Sequence, residues 1–284
     1  MPSLIDLRRR IRSVKNTQQV TKAMKMVSAA KLRRAQDRVI AARPYTQMFR
    51  QVLGDVASVA AGDAASHPLL ARRPENRILL VLVTSDRGLA GAFNSNLIKA
   101  SHQFVAERAA GSVALLVMGR KGRDFWKKRG GRIVLERTGI SEKGTYADAA
   151  GIAGDIIGRF EREEIDAVYL VYNEFKSVMS QKLTVMRTLP VEIPGRGQGL
   201  DYIYEQPPEE LLGTLLARYV EIAVYHAMLE SAAAEQAARM TAMEAATSNA
   251  GDMIERLTLY MNRVRQASIT KEIIEVVSGA TAAG

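Results

Sequence analysis

The sequence contains no cysteine and only three histidines, His67, His102 and His226. Without cysteine the chain forms no disulfide bond, offers no thiolate to a metal ion and has no thiol redox switch. The histidines are too widely spaced along the chain to suggest a metal site. We therefore expect no metal, no cofactor and no thiol chemistry.

Long apolar runs are also missing. No stretch of about 18 apolar residues occurs, so we expect no helix that spans a membrane. The first 25 residues are basic, as in a targeting peptide, but they lack the apolar block of a signal peptide. Their helical pattern continues into the following sequence, and we interpret them as part of the mature protein.

Positive charge is in excess, and it is confined to one end of the chain. The net charge is +10, and residues 1–60 contain 13 Lys or Arg but only 3 Asp or Glu. Residues 61–284 contain 27 residues of each sign, so the N-terminal segment carries the whole excess. A solvated helix face accounts for part of this charge. An acidic partner protein or a phosphate backbone explains it better.

The spacing of apolar residues predicts a coiled-coil helix over residues 1–60. The first positions follow the 3-4-3 spacing of a coiled-coil seam: Leu4, Leu7, Ile11 and Val14. The stripe then shifts, as at a stutter, to Val20, Met24, Val27 and Ala30. Pro44 removes a backbone N–H, so we expect a kink or break near Arg43 and further helix to about Ser58.

The central part of the chain alternates between strand and helix patterns. Residues 61–75 are predicted to be a linker, 76–190 an α/β domain, and 191–208 an irregular loop. The predicted strands are Ile78–Val83, Val113–Met118, Arg132–Glu136, Ala167–Tyr172 and Lys182–Leu189. The predicted helices lie near Asn94–Arg108, Arg120–Arg129 and Tyr146–Arg162. This alternation favours a mostly parallel, Rossmann-like sheet.

Residues 209–284 are predicted to form a second coiled-coil helix, because no proline occurs for about seventy residues, or roughly 105 Å of helix. The seam spacing recurs at Ile254, Leu257, Met261 and Val264. Two narrow apolar stripes at opposite ends of a chain are buried if the helices pair in an antiparallel coiled coil, and the longer C-terminal helix then extends beyond its partner. The predicted fold is thus a long antiparallel coiled coil of the terminal helices with a central α/β domain.

Besides a purely structural role for the coiled coil, we consider two other functions. A nucleotide-dependent enzyme would use the turn at Gly88–Gly91, which follows a strand and precedes a helix. That turn is neither G-x-G-x-x-G nor a P-loop, and tight-turn glycines explain it better. Asp86 and Arg87, at the end of the same strand, specify no reaction by themselves, and we find no catalytic constellation.

The second alternative is a basic coiled-coil protein that binds nucleic acid. The cations of the N-terminal helix would neutralise phosphates, but the first aromatic residue that would stack on bases is Tyr45. In leucine-zipper proteins that bind DNA, the basic region projects beyond the coiled coil. Here the basic residues lie in the same helical segment as the apolar stripe. We therefore expect no nucleic-acid partner.

Three motifs resemble one known family. Residues Asp6–Gln36 resemble the N-terminal helix of ATP synthase gamma subunits, and Thr84–Leu97 (TSDRGLAGAFNSNL) resembles the first strand-to-helix turn of that family. The end of the segment Glu235–Ala280 resembles its C-terminal signature, with Ile269, Thr270, Glu272 and Glu275 before Gly279-Ala280. The cysteine-bearing insertion of plant-type members is missing, which implies a bacterial-type subunit without thiol control.

The resemblance implies a non-catalytic, single-copy rotor in the central stalk, which couples proton flow through a membrane c-ring to ATP synthesis in an alpha/beta hexamer. It implies contacts with the alpha, beta and epsilon subunits and the c-ring, and a peripheral position on the cytoplasmic face of a bacterial inner membrane. Contact with beta subunits is implied for Met24, Lys25, Arg33, Arg34, Arg265 and Gln266. A foot on the c-ring and epsilon is implied for Tyr202, Tyr204 and Glu205. An apolar tip of the axle is implied for Ile269, Ile273, Ile274, Val276 and Val277.

Overall fold

The computed structural model describes residues 3–59, 67–193 and 206–282. The helices are α1 Leu4–Val59, α2 Phe93–Ala106, α3 Arg120–Lys128, α4 Tyr146–Glu161 and α5 Pro208–Ala282. The strands are β1 Ile78–Val83, β2 Val113–Met118, β3 Ile133–Arg137, β4 Ala167–Phe175 and β5 Gln181–Leu189. The chain forms two compact units: unit 1 is made of residues 1–28 and 240–284, and unit 2 of residues 29–239.

The sheet of unit 2 has five strands in the order β3-β2-β1-β4-β5. β1 pairs in parallel with β2 and β4, and β2 pairs in parallel with β3, while β5 is antiparallel to β4. Every residue of β1 and β2 is buried, as expected for strands covered on both faces. The prediction of a mostly parallel, Rossmann-like sheet is confirmed.

Both faces of the sheet are covered by helices. On one face, Leu79 and Val81 of β1 share a core with α4 and with residues of both terminal helices, such as Leu53 of α1 and Leu216 of α5. On the other face lie α2 and α3, where the indole N–H of the buried Trp126 donates to Ser101 Oγ at 3.2 Å. The terminal helices are therefore part of the hydrophobic core of the α/β domain.

In unit 1 the two terminal helices pair in an antiparallel arrangement. Lys25 Nζ lies 2.7 Å from a carboxylate oxygen of Glu244, and the hydroxyls of Thr21 and Thr247 are 2.7 Å apart. Gln18 Nε2 donates to the carbonyl of Thr247 at 3.4 Å. Residues earlier in α1 thus meet residues later in α5, as predicted from the two apolar stripes.

The buried stripe of α1 differs from the predicted one in its second part. Leu7 and Ile11 are buried and Leu4 and Val14 half-buried, but the expected shift to Val20 and Val27 does not occur, since these side chains are 58% and 55% exposed. The 3-4 spacing instead continues through residues that are mainly polar: Gln18, Thr21, Lys25 and Ser28. In α5 the seam positions are half-buried: Ile254, Leu257, Met261 and Val264.

Pro44 does not interrupt the first helix. α1 includes it and continues to Val59, so the break expected near Arg43 is absent. Two other predicted segments are described only in part: residues 61–66 of the linker and residues 194–205 of the loop at 191–208 lie outside the described residues.

The seam predicts which isoleucines of α1 stabilise the fold. Replacing Ile11, which is 9% exposed, by Ala should lower the free energy of unfolding by about 2–3 kcal/mol, because buried methylene groups are lost and a cavity remains. Ile5→Ala is the matched control: Ile5 is 68% exposed, and the change should stay within about 0.5 kcal/mol. Urea denaturation measures both, and equal losses would contradict the assignment of the seam.

Candidate functional site

The candidate interaction surface is the cationic exposed side of α1. Of its thirteen Lys and Arg residues, three are paired within the chain: Lys25 with Glu244, Lys31 with Glu142 at 2.6 Å, and Arg43 with Glu230 at 3.5 Å. Among the described residues, the others form no ion pair: Arg8, Arg9, Arg10, Arg12, Lys15, Lys22, Arg33, Arg34, Arg38 and Arg50. Most of the positive charge is therefore directed to solvent and is available to a partner.

The residues predicted to contact beta subunits are divided between the two units. In unit 1, Met24 is half-buried, Lys25 is engaged with Glu244, and Arg265 and Gln266 are exposed. In unit 2, both Arg33 and Arg34 are exposed. Lys25 is thus the one member of this set that has an acidic partner among the described residues.

The end of α5 is an apolar surface. Its side chains are between 48% and 72% exposed: Ile269, Ile273, Ile274, Val276 and Val277. The seam residue Val264, by contrast, is half-buried. The predicted foot residues Tyr202, Tyr204 and Glu205 lie outside the described residues.

A buried ion cluster in unit 2 joins the terminal helices to the α/β domain. In α5, Arg239 donates to Glu235 at 2.6 Å and to the carbonyl of Gly88 at 3.3 Å. Glu142, which precedes α4, lies 4.0 Å from Arg239 and accepts a bond from Lys31 of α1. One network therefore connects α1, α5, the turn after β1 and the segment before α4.

The sequence analysis did not identify this ion cluster. The available signal was a Glu235–Arg239 pair at i and i+4 within an alanine-rich segment, where one helix face is otherwise apolar. The partners Gly88 and Glu142 are about 90 to 150 residues away in sequence, and no local pattern connects them.

The turn after β1 is held by Asp86. Its carboxylate accepts hydrogen bonds from the N–H of Gly139 at 2.9 Å, the hydroxyl of Ser141 at 2.9 Å and the N–H of Arg120 at 3.2 Å. Partial burial alone would raise the pKa of Asp86, but these hydrogen bonds outweigh it and leave the pKa below its ordinary value. Asp86 therefore serves to connect three loops at the carboxyl edge of the sheet.

The glycines near this edge serve close packing. Gly119 has a φ of 90°, and a Cβ there would lie 2.2 Å from the carbonyl oxygen of Thr84. Leu89 and Gly91, in the turn after β1, have φ values of 62° and 53°. These geometries agree with the interpretation of Gly88–Gly91 as a tight turn.

The burial of Glu235 predicts a pH dependence of stability. Burial raises the pKa of Glu235 to about 7, and the nearby Arg239 opposes this rise only in part. Because the folded chain then holds the proton more tightly than the unfolded chain, this contribution to stability is complete below about pH 4.5. It is lost as the pH rises through about 7, and its size is on the order of 1–3 kcal/mol.

Thermal unfolding between about pH 5 and pH 8 tests this dependence. The Glu235→Gln variant should lose stability less steeply with rising pH than the unmodified chain, since a neutral amide does not titrate. Glu255→Gln, at an exposed position of the same helix, is the control and should keep the original slope. Parallel slopes for the unmodified chain and Glu235→Gln would show that Glu235 is ionised throughout this range.

None of the helices within the described ranges combines the length and apolar character needed to cross a bilayer. In the same part of the chain, no three His, Asp or Glu side chains are grouped as a metal site requires.

Comparisons with known proteins agree over the full length of the chain. The sequence profile of a family described as ATP synthase matches residues 3–283. The ATP synthase gamma chain of Solibacter usitatus is 65% identical over 285 residues, which cover 100% of both chains. That of Pelotomaculum thermopropionicum is 50% identical over 99% of both.

Solved structures show the same fold. A chain of the central stalk and c-ring structure of Tetrahymena thermophila mitochondrial ATP synthase matches with a TM-score of 0.64 and 26% identity, over 80% of this chain and 99% of that one. A chain of the Euglena gracilis ATP synthase rotor matches with a TM-score of 0.67 and 18% identity, over 94% and 98%. With its terminal helices, its mixed α/β sheet and this full-length identity, the chain belongs to the ATP synthase gamma chain family.

Proposed function

We propose that the chain transmits rotation of a membrane c-ring to the nucleotide sites of an alpha/beta hexamer, as the central rotor of an ATP synthase. Family membership makes it a non-catalytic subunit of the ATP synthase complex. The observation that carries the proposal is the 65% identity to an ATP synthase gamma chain over the whole length. Beyond family membership, we propose the identity of the binding partners and the direction in which rotation is transmitted, from the c-ring to the hexamer.

The exposed cations of α1 support contact with acidic segments of the beta subunits. A partner shifts the equilibrium between two states of a nucleotide site only through different affinities for those states. Changing a ratio of 1:99 to 99:1 needs roughly 5.5 kcal/mol of such difference. A single exposed ion pair contributes only about 0–1 kcal/mol. Many contacts must therefore act together, in line with the ten cations of α1 that form no ion pair within the described ranges.

The contact residues fit this proposal to different degrees. Arg33 and Arg34, and likewise Arg265 and Gln266, are exposed and available to a beta subunit. Lys25 lies 2.7 Å from Glu244, so an acidic partner would have to compete with that carboxylate. We therefore assign the larger part of the contact in α1 to the two adjacent arginines.

The apolar end of α5 supports a second contact. Five aliphatic side chains, from Ile269 to Val277, are about half exposed or more, which is unusual for a helix surface in water. We propose that this surface, the axle tip, turns within an apolar collar of the alpha/beta hexamer. An apolar contact suits a bearing because it lacks directional hydrogen bonds that would favour one angle.

The energy would enter through the membrane. Each proton that crosses it releases about 2.3 kcal/mol per 100 mV, so several are needed for each ATP. We propose that the α/β domain meets the c-ring and the epsilon subunit through Tyr202, Tyr204 and Glu205, at the cytoplasmic face of a bacterial inner membrane. The buried ion cluster then contributes to holding that domain rigidly to the terminal helices.

Assembly tests the proposed partners directly. A tagged copy of the chain should co-purify with alpha and beta subunits in a complex that hydrolyses ATP, whereas the isolated chain should show negligible hydrolysis. Mass photometry or native mass spectrometry should show one copy per complex. Sequence-specific, high-affinity DNA binding by the isolated chain, with no alpha or beta subunit recovered, would favour the nucleic-acid alternative.

Charge reversal at the two exposed arginines tests the beta contact. In the assembled enzyme, Arg33→Glu with Arg34→Glu should lower proton pumping per ATP hydrolysed several-fold, because attraction to acidic segments becomes repulsion. The melting temperature of the isolated chain should change little, since neither arginine is paired within the described residues. The ratio of vesicle acidification to phosphate release measures the effect.

Lys99→Glu with Lys128→Glu is the control for this double variant. Both lysines are exposed and lie on α2 and α3 of the α/β domain, so the net charge changes equally away from the proposed contact. If both double variants reduce pumping to the same extent, general charge is responsible and the assignment of the contact to Arg33 and Arg34 is wrong.

A further inference from the structure

Lys25 is a charged residue in the seam between α1 and α5 of unit 1. It follows Gln18 and Thr21 at the 3-4 spacing of the buried stripe, and its side chain is 38% exposed. Its Nζ lies 2.7 Å from Oε1 of Glu244 in α5, which is 219 residues away in sequence. The ammonium group is therefore engaged across the seam, whereas the neighbouring Lys22 is exposed and forms no ion pair among the described residues.

The next contacts along this part of the seam are also polar. The hydroxyls of Thr21 and Thr247 lie 2.7 Å apart, and Gln18 Nε2 donates to the carbonyl of Thr247 at 3.4 Å. Apolar contact has no preferred direction, whereas hydrogen bonds require particular partners in a particular geometry. Within the described part of unit 1, Lys25 and Glu244 form the one ion pair that joins the two helices.

The pair is weak, but selecting one placement of two helices needs little energy. The Glu244 side chain is 60% exposed, so water screens the attraction and the pair adds little to stability. In coiled coils, a single lysine at a seam position nevertheless decides which residues of the partner helix face it, even at a cost in stability. The pair is therefore suited to fixing the placement of α1 on α5 in unit 1.

Both helices of unit 1 carry exposed side chains of the proposed beta contact. Lys22 of α1 is one of the exposed cations, and Arg265 and Gln266 of α5 are exposed as well. A partner that touches both helices meets these side chains in one geometry only if the placement of α1 on α5 is fixed. A change in that placement would alter the contact although none of these three residues had changed.

We propose that Lys25 and Glu244 are positioning residues for the proposed rotary coupling, and that Lys25 acts through Glu244 without touching a beta subunit. The pair holds α1 in one placement on α5, so that the exposed side chains of both helices are presented to a partner together. This role differs from the direct contact that the family motif implies for Lys25. The effect on coupling rests on the proposed function, whereas the placement of the helices is a property of the chain itself.

Exchanging the two charges in the assembled enzyme tests the proposal. Lys25→Glu places two carboxylates opposite each other, and Glu244→Lys places two ammonium groups there. Each single variant should lower the number of protons pumped per ATP hydrolysed about two- to fivefold, because attraction becomes repulsion. The double variant, Lys25→Glu with Glu244→Lys, re-forms the ion pair with its polarity reversed and should restore the ratio.

A direct contact of Lys25 with a beta subunit gives a different result. The double variant would then pump as poorly as Lys25→Glu, because a carboxylate would still face the acidic partner, and the proposal would be wrong. It would also be wrong if Glu244→Lys pumped like the unmodified enzyme. Lys22→Glu with Glu244→Lys is the control, since Lys22 has the same charge and no ion pair among the described residues. This control should pump no better than the poorer of its two single variants.

Pulsed electron paramagnetic resonance measures the placement of the helices in the full-length chain. Because the sequence contains no cysteine, Val20→Cys with Met253→Cys provides only two sites for spin labels, at positions 58% and 46% exposed. Lys25→Glu and Glu244→Lys should each shift or broaden the distribution of distances between the labels, and the double variant should restore it. The melting temperature of each version is measured alongside, to show that all of them are folded.

The two measurements separate this inference from the proposed function. An identical distance distribution in all four versions would overturn the positioning role, whatever the pumping shows. If the distances respond as expected but all four versions pump equally, the helices are positioned by the pair and its role in coupling is refuted. Failure of the chain to assemble with alpha and beta subunits would contradict the proposed function and leave the distance measurement to decide the placement.

Discussion

The pairing of two narrow seams is the constraint on which the rest of this structure depends. A helix with a stripe only two residues wide per heptad cannot bury its apolar surface alone, and α1 and α5 come from opposite ends of the chain. In unit 1 the helices meet each other, whereas in unit 2 they share a core with the sheet. The remaining faces of α1 stay in water, which leaves room for the cations that the proposed function requires.

The α/β domain uses the architecture of a nucleotide-binding fold for a mechanical purpose. The carboxyl edge of its parallel sheet is where enzymes of this architecture place their ligands. Here Asp86 binds neighbouring loops, and Arg239 of α5 reaches the carbonyl of Gly88. The edge is thus occupied by contacts that connect the domain to its helices. Rigid attachment, rather than chemistry, is what a rotating subunit needs from this position.

The secondary structure was largely predictable because its signals are local. The all-apolar run of β1 and the long stretch without proline in α5 led to the observed elements within a few residues. The seam after Val14 was not predictable from apolar residues, since Thr21 and Ser28 occupy buried positions while Val20 and Val27 face solvent. The ion cluster was missed because its members are brought together only by the packing of α1 and α5 on the domain.

The polar layer of the seam in unit 1 has a consequence for sliding along the helix axis. Thr21 pairs with Thr247, and Gly251 leaves space for the amide of Gln18, whose Nε2 would lie 3.2 Å from a Cβ there. Moving one helix by a heptad would place the Thr21 hydroxyl opposite Met240 or Ile254 and break the bond between the two hydroxyls, so that each would keep only its bond to a carbonyl of its own helix. An all-leucine seam would tolerate such a displacement, whereas this one has a single favoured alignment. Twisting strain applied to the pair is therefore stored in the helices and is not released by longitudinal slippage.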